Sequence, residues 1–384
     1  MAQDLRKELR PAYGFDDVAI APGEITLNPE QVDLTFSLDG HSFEVPFMAS
    51  AMDAVVSPAF AAEMHRQGGL AVLNLDGLQT RYEDTEPIYS ELAAKSDEEV
   101  TAFMQKVYSQ PQREELVGQR VQEIKASGAT CAVSVIPANT KRLAPVAKEA
   151  GADILVVQST VTTARHVSKS LRGLIFSELI DSLRLPVVVG NTVSHDVTLE
   201  LMKEGVSGVL VGVGPGAACT SREVLGIGVP QVTATIDTAA ARDLYYRETG
   251  RYVPIITDGG IRTGGDVCKA VAAGADALMV GTPFAQAQEA PGLGYNWGMA
   301  TPHESLPRGT RIKVGTRGPL QKILYGPTSL TDGTENLAGA LRVSMGMVGA
   351  SNVREMHDAD MIIAPAIKTE GKIYQQMQRA SARS

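Results

Sequence analysis

A cysteine set behind three glycines and a proline marks the place where this sequence is best equipped for chemistry. The stretch from Gly212 to Ser221 reads GVGPGAACTS. Gly214 and Gly216 admit backbone conformations closed to other residues, so their carbonyls can turn inward to hold a cation. Cys219 then stands near the start of a turn or short helix, where N–H dipoles favour the thiolate. A nucleophile is one reading. A small apolar filler in a tight turn is the other, because free cysteine is often buried. Cys131, at the head of an apolar run, and Cys268, within a helical pattern, read as packing.

A second group surrounds Asp258, in TDGGIRTGGD from Thr257 to Asp266. Asp258 closes an apolar run, and Gly259 and Gly260 let backbone approach a ligand. A carboxylate so placed suits a ribose diol, accepting from two hydroxyls. An aspartate capping the next helix is the competing reading. After the following run, VGTPF offers Gly281 and Thr282 as donors. With the Gly259–Gly260 backbone they make a phosphate cradle of the kind barrels build after their last two strands. Other runs end on Ser50, Met52 and Asp53, on Ser159 and Thr160, and on Gly190 and Asn191. Any one of these polar groups can cap its own helix; all of them doing only that is the less economical reading.

The elements that must position these residues are eight apolar runs, at 45–50, 69–74, 131–136, 153–159, 186–191, 208–213, 253–260 and 277–282. Continuous Val, Ile and Leu suit strands buried on both faces, as in a parallel sheet. Helical stretches follow at Pro58–Gln67, Lys141–Glu149, His195–Glu204 and Gly265–Ala273, with Pro58 and Asp266 as first-turn residues. The alternation predicts an α/β fold, a (β/α)8 TIM barrel, in preference to an open doubly wound sheet. Loops after the strands then form one active face, which favours the nucleophile reading of Cys219. Two segments break the repeat. Residues 83–126 are charged and helical in pattern, an insertion or a pair of outer helices. Residues 290–326 are rich in Gly, Pro and Thr, and a long loop in that place is usually functional. A helix at Thr334–Val348, a strand-like run at 361–367 and a polar tail expected to fray complete a single catalytic domain, 1–384.

Composition narrows the function. The chain carries 44% hydrophobic residues but only 5% aromatics, and 37 glycines, a balance that fits an aliphatic α/β core with many turns. With a net charge of −9 and no basic stripe, nucleic acid is not an expected partner. Three scattered cysteines make neither a disulfide scaffold nor a zinc site and fit a reduced, cytoplasmic setting. MAQDLRKELR lacks an apolar run, so no secretory signal is expected, and no stretch suits a membrane span.

Taken together, GVGPGAACTSREVLGIGVPQ, PIITDGGIRTGGDVCKAVAAGADALMVG, ASAMDAVVS and LAGALRVSMGMVGAS resemble the IMP dehydrogenase/GMP reductase family over nearly the whole barrel. The resemblance is greatest to its bacterial members that lack the regulatory CBS pair. It implies a purine-nucleotide site and an oxidation of IMP to XMP in guanine-nucleotide biosynthesis. Cys219 would attack C2 of the purine. Asp258 would bind the ribose, and Gly259, Gly260, Gly281 and Thr282 the phosphate. Ser50, Met52, Asn191, Gly298 and Met299 would line the nucleotide pocket. NAD would sit by Gln158, Ser159 and Thr160. Carbonyls of Gly214, Gly216 and Cys219 would hold a monovalent cation such as K+, with Glu370 and Gly371 completing the site from a neighbouring subunit of a homotetramer or a dimer of tetramers.

This chain departs from the family pattern in four places. Residues 83–126 are too short for a CBS pair, so nucleotide control through that module is not expected. The shortened loop, 290–326, lacks the Arg-Tyr pair whose arginine serves as base toward water, and Arg308 stands where the family has a glutamate. Gln158 replaces an aspartate used for the nicotinamide ribose, and Ala217 a phosphate-contacting serine. The loop keeps His303, Glu304, Arg308 and Arg311, and Arg308 with Ser221 becomes the expected means of positioning the water. A GMP reductase with the same cysteine, and a purine-nucleotide-binding regulatory protein without turnover, are the alternatives.

Overall fold

Eight short parallel strands close on themselves in the computed structural model, which describes residues 9–165, 173–299 and 311–381. In chain order they are β1 (Phe47–Ala49), β2 (Leu70–Asn74), β3 (Ala132–Val135), β4 (Ile154–Gln158), β5 (Val187–Thr192), β6 (Gly208–Val211), β7 (Ile255–Asp258) and β8 (Ala277–Val280). Closure comes from β8 pairing with β1, Leu278 opposite Phe47 and Val280 opposite Ala49. The chain is therefore a (β/α)8 TIM barrel, and every strand coincides with an apolar run of the sequence, β5 extending one residue past its run to Thr192. Among the described residues there is no CBS-type extra domain.

Strand side chains alternate between two cores. Met48, Leu70, Val72, Ile154, Val156, Val188, Leu210, Ile256 and Met279 fill the barrel axis. A hairpin, Phe36–Leu38 paired with His41–Phe43, adds Phe36, Leu38 and Phe43 to that axial core. The alternate residues face the surrounding helices, such as Pro58–Arg66 and Gly264–Ala272. Ser57 and Thr263 cap these two helices by accepting from the N–H groups of Phe60 and Asp266.

Several elements differ from the sequence expectation. The helix expected at Lys141 starts at Pro137, because a first-turn proline is compatible with a helix start. Residues 83–126 form three helices, Glu86–Ala94, Asp97–Tyr108 and Glu114–Ala126, rather than two. A helix over Gln231–Thr249 had no clear signature, since it buries Gln231, Thr235, Thr238 and Arg242 among alanines instead of an apolar stripe. The tail is helical over Ile373–Ser381. Only Met361–Ile363 of the run at 361–367 is strand, antiparallel to Val18–Ile20.

The face at the strand N-termini is built for stability. Asp276, just before β8, accepts from Arg242 at 2.8 Å and from the Ile255 N–H at 2.8 Å, and both charged side chains are over 90% buried. Removing one partner of such a pair leaves an uncompensated charge and costs about 3–5 kcal/mol. Arg242→Met is therefore expected to lower the unfolding free energy by about 3 kcal/mol in urea titrations. A loss under about 1 kcal/mol would show that the Ile255 N–H and the Tyr252 hydroxyl, which also donates to Asp276, suffice for it.

Candidate active site

The cysteine loop leaves β6 at Val211 and is pinned at once, Gly212 N–H donating to the Thr192 carbonyl at 3.1 Å. Gly214 has φ +84°. The chain turns back so that Cys219 N–H donates to the Gly216 carbonyl at 3.0 Å. The Cys219 side chain is half-buried, and its thiol donates to Ser221 Oγ at 3.4 Å. Ser221 is buried and opens the short helix Ser221–Leu225. The other two thiols are buried. Burial pushes Cys131 up to about 12 and Cys268 up to about 11, so both stay protonated at neutral pH. A cavity of about 590 Å³ beside Cys268 lies between helices Gly264–Ala272 and Leu337–Met347.

Asp258, the last residue of β7, sits among neutral donors. Its Oδ2 accepts from Asn191 Nδ2 at 2.9 Å and from Gln158 Nε2 at 3.0 Å. Gln158 also donates to Asn191 Oδ1 at 3.1 Å, closing a triangle across β4, β5 and β7. Burial raises the carboxyl to about 6, and the two amide donors only partly offset it. Both of these donors fall on Oδ2, a pattern that leaves Oδ1 as a further acceptor. That is the arrangement a diol needs. Gln158, expected beside a dinucleotide, is thus turned toward Asp258, while Ser159 and Thr160 are half-buried at the start of the next loop.

The loops after β6 and β7 touch, and the loop after β8 touches the loop after β1. Gly259 and Gly260 have φ +88° and +80°, in the left-handed region, and their α-carbons pack so tightly on Pro215 that an added Cβ would stand 3.1 Å from its ring. A side chain at either position would push the β7 loop away from the cysteine loop. On the other side, a Cβ at Gly281 would meet Met52 Sδ at 3.1 Å and Ser50 Oγ at 3.5 Å. Ser50 N–H donates to the Val280 carbonyl at 3.0 Å. Thr282 Oγ accepts from Asn296 Nδ2 at 3.2 Å. The glycine pair thus borders the Cys219 loop, and Gly281 borders Ser50 and Met52.

Sequence reasoning missed the group that adjoins these loops. Tyr108, from the inserted helix Asp97–Tyr108, donates its hydroxyl to Asp53 Oδ2 at 2.6 Å and accepts from Trp297 Nε1 at 2.8 Å. Met299 Sδ is 3.6 Å from the same oxygen. A weak signal existed: Val100, Met104, Val107 and Tyr108 share one helical face, and all four are buried. Among the loop cations, Arg311 is committed to the insert, donating to the Leu92 carbonyl and, at 2.7 Å, to Asp97. Arg308, His303 and Glu304 lie outside the described residues. Glu370 and Gly371 are exposed, in a turn that Lys368 ties to Asp16.

Comparison with known proteins matches the chain along most of its length. The model for the IMP dehydrogenase / GMP reductase domain matches residues 12–372. An uncharacterized oxidoreductase of Mycobacterium leprae is 42% identical, over 92% of this chain and 97% of its own. Inosine-5'-monophosphate dehydrogenase of Cryptosporidium parvum is 26% identical, over 91% of each. The crystal structure of an IMP dehydrogenase/GMP reductase-like protein from Corynebacterium glutamicum superposes with a TM-score of 0.88 at 36% identity, over 93% of this chain and 96% of that one.

The raised carboxyl of Asp258 makes a testable demand on stability. Its folded value, about 6, exceeds the ordinary 3.8, so the folded state binds a proton that the unfolded state has released. The associated stability is fully present below pH 3.8 and is lost as pH rises through about 6. Asp258→Asn, neutral throughout, is expected to melt higher than wild type at pH 7.5, with the advantage closing by about pH 4. Scanning calorimetry across that range checks it; an offset independent of pH would contradict the assignment.

Proposed function

The chain belongs to the IMP dehydrogenase/GMP reductase family of oxidoreductases, and from that membership we propose that it oxidises IMP to XMP with NAD+ through a covalent bond to Cys219. The observation that carries the proposal is the approach of the Cys219 loop to the Gly259–Gly260 turn beside Asp258. A purine nucleotide held by Asp258 at its ribose and by the Gly259, Gly260, Gly281 and Thr282 rim at its phosphate presents its base to the cysteine loop. Ser50, Met52, Asn191, Gly298 and Met299 complete the pocket around it.

The reaction divides into two halves. Cys219 Sγ bonds to purine C2 with loss of its thiol proton, and the C2 hydride departs. NAD+, when bound beside Ser159 and Thr160, supplies the hydride acceptor. The two half-buried hydroxyls fit a neutral dinucleotide subsite, and Gln158 serves the Asp258 cluster instead. Water then adds to C2, the C2–S bond breaks, and XMP leaves with the thiol restored. IMP, NAD+ and water thus give XMP, NADH and a proton. Ser221, within hydrogen-bond reach of the thiol, and Arg308, from the shortened loop, are the residues we assign to positioning that water.

A monovalent cation fits the same loop. The Gly216 carbonyl already accepts from Cys219 N–H at 3.0 Å but keeps a second lone pair, and the other donors would be the carbonyls of Gly214 and Cys219. Such an ion, K+ by the donor chemistry, would hold the loop's carbonyls in their inward turn. Glu370 and Gly371 would join it from a neighbouring subunit of a homo-oligomer. Among the described residues no helix is long and apolar enough to cross a membrane. We place the enzyme in the cytoplasm.

Incubation with IMP and NAD+, and separately with GMP and NADPH, decides the matter when absorbance at about 340 nm is followed with product chromatography. NADH with XMP is the expected result. IMP formed from GMP would instead make the protein a GMP reductase, and tight nucleotide binding without product would make it a regulatory protein. Cys219→Ala is expected to abolish turnover while nucleotide binding persists, and full activity in that variant would overturn the covalent route. Ser221→Ala and Arg308→Ala are each expected to slow the hydrolytic half by about 10²-fold or more, the scale of a positioned proton-transfer group. Unchanged turnover in both would remove them from the mechanism.

A further inference from the structure

We propose that the helical insert, residues 83–126, is a working part of the nucleotide site, with Tyr108 as its positioning residue. It holds the loops after β1 and β8 in register beneath the nucleotide. The proposal rests on the purine-nucleotide reading of the barrel mouth and names what sets the geometry of that pocket.

One hydroxyl ties four segments together. Tyr108, 4% exposed, donates to Asp53 at 2.6 Å and accepts from Trp297 at 2.8 Å. Asp53, 1% exposed, also accepts from the Leu78 N–H at 2.8 Å, which brings in the loop after β2. Asp53 directly follows Met52, and Trp297 precedes Met299 by two residues, so both ends of the hub are neighbours of pocket residues. The loop after β8 leans on the insert along both limbs. Its strand Tyr295–Trp297 pairs with Arg311–Lys313. Trp297 lies against Tyr89 with ring centroids 6.2 Å apart, and Arg311 reaches Leu92 and Asp97 while its guanidinium stacks over Tyr295 at 4.5 Å.

The chemistry of the hub argues for position rather than mere cohesion. Around it Ala54, Leu78, Tyr89, Leu92, Val100 and Met104 already form an apolar cluster. A buried carboxylate adds nothing to such a cluster's stability that an apolar side chain of similar size would not. A phenol bonded to a carboxylate does add direction, because a charge-assisted hydrogen bond is short and geometrically demanding. Both of its ends are anchored where a pocket loop begins.

Trp297 is the only tryptophan of the chain, so its emission reports on this hub alone. Tyr108→Phe keeps the ring in the cluster and removes the hydroxyl. Wild-type protein is expected to bind IMP by calorimetry with a change in Trp297 emission. Tyr108→Phe is expected to raise the dissociation constant for IMP about tenfold, as for loss of a hydrogen bond to a charged group, and to lose the emission change. Val100→Ala, in the same cluster and on the same helix but apart from the hub, should lower the melting temperature and leave IMP affinity within about twofold. Asp53→Asn approaches the hub from its other end and should weaken IMP binding in the same direction; it decides the matter if Tyr108→Phe does not fold. Wild-type affinity in Tyr108→Phe, or an equal loss in Val100→Ala, would overturn the proposal while leaving the nucleotide reading standing. A wild-type protein that binds neither IMP nor GMP would overturn the nucleotide reading, and this proposal with it.

Discussion

The solid axis of the barrel is the constraint from which the rest follows. Closing β8 onto β1 points Met48, Leu70, Val72, Ile154, Val156, Val188, Leu210, Ile256 and Met279 at one another, and together they fill the space they enclose. A packed interior admits no ligand, because native cores have the density of organic crystals. Polar groups therefore gather where the strands end. Ser50, Gln158, Asn191, Asp258 and Gly281 all stand within a residue or two of a strand's last apolar side chain. Closure then turns residues far apart in sequence into neighbours around one ring, and the cysteine loop after β6 meets the glycine turn after β7.

This same constraint explains what the sequence makes legible. Strands buried on both faces appear as unbroken apolar runs, and all eight were visible for that reason. The cysteine loop and the Asp258 turn were visible because each is local, with its glycines, nucleophile and carboxylate within a few residues. The helix Gln231–Thr249 was not, since its buried face is small and polar and no apolar period marks it. The Tyr108 hub was hidden for a different reason. Its bonds join residues 55 and 189 positions apart, and nothing in a charged, helical stretch shows which of its aromatics turns inward. Contacts of that range are set by where the chain folds, and pattern reading sees only periods of two and 3.6.

Residue 158 shows how one side chain changes the electrostatics of the mouth. An aspartate there, one methylene shorter and oriented as Gln158 is, would aim a second carboxylate at Asp258. Like charges so close cannot both ionise, so it would have to turn away. Glutamine donates instead, and with Asn191 it fixes one oxygen of Asp258. The cost is visible in the carboxyl, raised by burial to about 6. A group held in the folded state against its own preference is a common mark of a functional site rather than a stabilising one. At the opposite face Asp276 is fully paired with Arg242, and there the same chemistry serves the fold.

The insert belongs to the first of these categories. A loop that contributes to a binding pocket loses conformational freedom when ligand binds, and that loss subtracts from affinity. Both limbs of the loop after β8 are already paired with each other and braced against the insert before any ligand arrives. Part of the ordering is thus completed on folding. The bracing passes through Trp297, Tyr108 and Asp53 to the loop that carries Ser50 and Met52, on the other side of the same pocket. Movement of either loop would have to break the hub or drag the other with it. The two sides of the proposed nucleotide pocket are therefore tied into one mechanical unit, and the contacts that tie them run through the insert.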